Sequence, residues 1–102
     1  MVAADSKGNI YVTDIGNYRV QKFDGSGQFL AKWGSEGTGA GQFKEPAGIA
    51  VDKQDNVYVA DVCNNVVQKF DDSGKFLLSW GDQAKAMVSS ISGDVAEWAS
   101  RP

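Results

Sequence analysis

Apolar and polar residues alternate along this chain in short runs separated by Gly, Asp, Asn and Ser. Ile10-Tyr11-Val12-Thr13-Asp14 and Val57-Tyr58-Val59-Ala60-Asp61 are β-branched and aromatic and are bounded by Asn and Asp, which suits a pleated strand. In the first of them Ile10 and Val12 fall on one face and Tyr11 on the other, so cover from both sides is expected. Val20-Gln21-Lys22-Phe23 and Val67-Gln68-Lys69-Phe70 predict a following strand, and Phe29–Trp33 and Phe76–Trp80 a last one. A short apolar stretch precedes each set, Met1–Asp5 in one case and Pro46–Asp52 in the other. Asp24-Gly25-Ser26-Gly27 and Asp71-Asp72-Ser73-Gly74 read as hairpin turns in which Gly27 and Gly74 supply a positive φ. Asp14-Ile15-Gly16-Asn17 and Asp61-Val62-Cys63-Asn64 read as tight turns, with Asp and Asn side chains accepting from nearby backbone N–H groups. The pattern predicts an all-β chain of four-stranded meanders.

These features occur twice, at a constant offset of about 47 residues, within the range expected of stacked repeat units. Residues 1–34 form the first unit, clipped at its start because the Pro-x-Gly lead-in of Pro46-Ala47-Gly48 has no counterpart there. Residues 35–81 hold a linker and the second unit. The linker, Ser35–Glu45, is Gly-rich and predicts a long loop between sheets, with Phe43 plugging it onto them. Residues 82–102 are a different kind of sequence. Ala84, Met87, Val88 and Ile91 recur at helical spacing, with Asp82 as a possible N-cap and Gly93 as a stop. That tail reads either as a short amphipathic helix at about 83–92 or as a frayed extension.

Gly41-Gln42-Phe43, Pro46-Ala47-Gly48-Ile49-Ala50-Val51-Asp52 and Asn56-Val57-Tyr58-Val59-Ala60-Asp61 closely resemble the NHL repeat. So do Asn64, Val67–Asp71, Ser73-Gly74 and Trp80-Gly81, and the resemblance runs over residues 2–81. In that family each repeat is one four-stranded antiparallel blade of a β-propeller, usually six-bladed. The resemblance therefore implies two NHL-type blades followed by a tail outside the repeat. One departure matters. The first unit keeps the family's Asn-x-Arg-Val as Asn17-Tyr18-Arg19-Val20, whereas the second has Asn64-Asn65-Val66-Val67. Whatever Arg19 does, the second unit cannot do.

Charge and chemistry narrow the function. The net charge is -3, and no segment is a basic patch, so a nucleic-acid partner is not expected. No apolar run approaches membrane-spanning length, and Met1–Asp5 lacks the pattern of a secretory signal, so no membrane association is expected. Cys63 stands alone, which allows no disulfide within the chain and leaves the compartment open. There is no histidine. Some propeller enzymes that resemble this family depend on histidine for metal binding or proton transfer, and a site made of this chain alone cannot use it. No phosphate-gripping loop or paired-carboxylate motif is present either, so no enzyme, catalytic residue, cofactor or metal is expected. Asp14, Asp24, Asp61, Asp71 and Asp72 fall short of the six to eight oxygens that calcium takes and read as turn caps. Trp33 and Trp80 could stack a base or a sugar, but their matched positions favour packing between blades.

A meander places the turn after the second strand and the inter-unit linker on one rim, so Asn17, Tyr18 and Arg19 converge there with residues 35–45. Their counterparts Asn64 and Asn65 complete the candidate ligand-binding rim. Arg19 either meets a ligand there or pairs with Asp14 or a neighbouring blade. The expected function is a non-enzymatic scaffold for protein or peptide partners. The contrasting expectations are an inert remnant or a part of a larger propeller enzyme or sensor of the lyase kind, or an RNA-binding module for which Tyr18 and Arg19 alone speak. Two blades leave open faces, and closure protects a propeller. Self-association is therefore expected, with a trimer of two-blade chains as first choice; Met87, Val88 and Ile91 folding over the second unit would give a capped monomer instead.

Overall fold

The computed structural model describes residues 1–81; the helix expected at about 83–92, with the rest of 82–102, lies outside the described residues. β1 (Val2–Ala4), β2 (Ile10–Asp14), β3 (Arg19–Phe23) and β4 (Phe29–Trp33) form an antiparallel sheet in chain order. A short parallel pair follows, β5 (Ser35–Glu36) and β6 (Gln42–Phe43). β7 (Pro46–Val51), β8 (Val57–Asp61), β9 (Val66–Phe70) and β10 (Phe76–Trp80) make the second antiparallel sheet, again in chain order. The registers match: Tyr11 faces Lys22 and Thr13 faces Val20, as Tyr58 faces Lys69 and Ala60 faces Val67. The two sheets are two propeller blades with the same pairing.

Side chains of a strand alternate between faces, so register decides what each blade shows its neighbour. Ala3, Tyr11, Val20 and Trp33 share the face of the first blade that meets the second. Ile49, Val57, Val59 and Phe70 meet them from the other side, and β7 lies against β1 and β2. The Trp33 ring is 5.5 Å from Phe70 and 6.2 Å from Tyr11, so this indole is packed between blades. Its seat is the backbone of the β9–β10 turn: a Cβ on Gly74, at φ +92°, would stand 2.6 Å from Trp33 Cε3. Trp80, its counterpart, meets Tyr58 of its own blade edge-on at 6.1 Å.

The linker is more ordered than a Gly-rich loop predicts. Gly37 N–H donates to Phe43 O at 3.1 Å, and Gln42 N–H donates to Gly39 O at 3.0 Å, which folds the segment into the β5–β6 pair. Phe43 is fully buried with its ring 5.9 Å from Phe70, the plug its size and hydrophobicity suggested.

On the rim away from the linker, aspartates close the hairpins. Asp24 accepts from Ser26 N–H and Gln28 N–H, both at 2.9 Å, and Asp71 accepts from Ser73 N–H and Lys75 N–H at the same distance. Asp5 and Asp52 cap their turns in the same way. Polar contacts on this rim also lash the blades together. Ser6 donates its N–H and its hydroxyl to the Asp55 carboxylate at 2.9 and 2.6 Å, and Lys22 Nζ donates to Asp72 O at 2.7 Å. Asp55 sits in the left-handed region at φ 63°.

Candidate binding rim

The first turn of the other rim begins where β2 ends. Ile15–Asn17 form one turn of 3-10 helix, and Tyr18, at φ 57°, closes it by donating its N–H to Ile15 O at 3.2 Å. Tyr18 packs onto the core between blades, and the exit from β4 presses on its backbone: a Cβ on Gly34 would lie 2.7 Å from Tyr18 O. Asn17 is exposed and donates its amide to Asp14 Oδ2 at 3.0 Å. Gln21 donates to the same oxygen at 3.1 Å, and Arg19 Nε lies 3.5 Å from it. Arg19 Nε is buried without a hydrogen-bond partner, so its link to Asp14 is electrostatic. The Asn17 amide first, then the Gln21 amide and the Arg19 charge, hold the Asp14 carboxyl below its ordinary value.

The second turn uses the same residue types for different work. Asp61 is fully buried and accepts from Cys63 N–H and Asn64 N–H at 3.1 and 3.0 Å, and from the Asn64 amide at 3.1 Å. It also accepts from the linker, Lys44 N–H at 2.7 Å and Glu45 N–H at 3.0 Å. Gln68 accepts from Gly41 N–H at 2.8 Å and donates to Gln42 O at 2.7 Å. Asp61 and Gln68 together grip the backbone of the linker. Asn64 adds a bond to Gly37 O at 2.9 Å, while Asn65, at φ 60°, keeps a buried Oδ1 with no hydrogen-bond partner.

Of the five rim residues singled out in the sequence, Tyr18 and Asn64 reach the linker region, through Gly34 and Gly37 respectively. Asn17 and Arg19 instead turn back onto Asp14, which realises the ion pair that competed with the ligand reading for Arg19. Asp14 and Gln21 were missed as a functional pair. The available signal was the recurrence of glutamine at 21 and 68 in matching strands, each paired by offset with a preceding aspartate. Among the described residues no group of three or more His, Cys, Asp or Glu side chains could hold a metal ion. Cys63 is exposed on the second turn.

The family model of the NHL repeat matches residues 2–23 and 43–70, one match in each sheet. Solved structures share the fold at low sequence identity. A Bacteroides fragilis protein described as exported matches with a TM-score of 0.68 and 19% identity, over 79% of this chain and 23% of that one. A luciferin-regenerating enzyme matches with a TM-score of 0.61 and 16% identity, over 78% of this chain and 28% of its own. A gluconolactonase of Xanthomonas campestris matches with a TM-score of 0.53 and 22% identity, over 74% and 25%. The chain thus spans about a quarter of the length of these structures. A search of curated proteins found no match.

Proposed function

Because the chain belongs to the NHL-repeat family, with one repeat in each of its two blades, we propose that it is a non-enzymatic scaffold for a protein or peptide partner. The partner is engaged through the rim of Asn17, Tyr18, Arg19, Asn64 and Asn65. One observation carries the reading. Asp24 and Asp71 of the opposite rim are occupied by their own turns, whereas the first turn of this rim carries an exposed Asn17 beside a partly exposed Arg19 side chain. Polar side chains held at the surface of a rigid frame suit recognition. The chain has no histidine, and the activities of the enzymes that share its fold belong to those proteins.

Replacing Tyr18 and Arg19 together with Ala tests this. Affinity for a partner captured by the wild-type chain should fall, with the far-ultraviolet circular dichroism unchanged. Unaltered affinity would refute the rim as the site.

A further inference from the structure

We draw no further inference here: the strongest candidate, the apolar edge of the outer strands β4 and β10 where Leu30 and Leu77 stand exposed at matching bulges, carries none because nothing in the structure shows what covers it.

Discussion

Asp61 and Asp14 stand at the ends of matching strands, β8 and β2, in two copies of one blade, and they do different jobs. Asp61 is buried beneath the linker and accepts four backbone N–H groups, those of Lys44, Glu45, Cys63 and Asn64. Among the described residues no linker lies above Asp14, and side chains of its own hairpin gather at its Oδ2. The same contrast separates Gln68, which brackets the linker backbone, from Gln21, which folds onto Asp14. A repeat thus specifies a set of side chains, and the neighbouring segment decides what they hold.

The sharpest way to break the comparison is to remove both carboxylates in turn. Asp61→Ala leaves four partly buried backbone N–H donors without their acceptor and should cost more than about 3 kcal/mol in urea unfolding, while Asp14→Ala should stay within about 1 kcal/mol. Equal losses would mean that the two carboxylates are equally structural. Phe43→Ala is next, at about 3 kcal/mol, because it empties the plug between the blades. A third pair compares glycines in matching turns. Gly74→Ala drives a Cβ into Trp33, whereas a Cβ on Gly27 meets nothing within 4 Å. Both positions have positive φ, so both variants carry backbone strain, and the excess cost at Gly74 should be about 1–2 kcal/mol from overpacking. Differential scanning calorimetry of the two variants would show it as a larger drop in Tm for Gly74→Ala.

The eight blade strands were legible because alternation of β-branched and aromatic residues, cut by Asp, Asn and Gly, reports a covered strand directly. Phe43 as a plug was legible for a similar reason, being the one large apolar residue in Ser35–Glu45. The β5–β6 pairing was not. Glycines carry no alternation signal, and the segment is held by hydrogen bonds from Gly37 N–H to Phe43 O and from Gln42 N–H to Gly39 O, which no side-chain pattern announces. The grip of Asp61 on the linker was hidden for a related reason: Asp61 and Lys44 lie 17 residues apart, and nothing in either local pattern announces the contact. The pairing of Arg19 with Asp14 was legible as one of two readings of that arginine, whereas the Asn17 and Gln21 amides on the same carboxylate were not.

Acidity should give the smallest effect. Hydrogen bonds lower the carboxyl of Asp55, through the Ser6 hydroxyl first, and those of Asp24, Asp71 and Asp14, from the ordinary 3.8. At Asp5 burial pushes the other way, and bonds from Asn9, Lys7 and Tyr11 outweigh it. Folded carboxyls that bind protons less readily than unfolded ones contribute stability that is complete above the unfolded value. That stability is lost as pH falls through the lowered values. The unfolding midpoint should therefore be flat above about pH 5 and decline below about pH 4. The decline should be shallower in Asp55→Asn, which removes a carboxylate that ties the two blades together.

The claim that the linker makes Asp61 structural, while Asp14 serves its own turn, is tested most directly by amide hydrogen exchange. The account predicts that Asp61→Ala strips protection from the Lys44 and Glu45 amides, whereas Asp14→Ala leaves them protected. Equal loss in both variants, or none in either, would contradict it.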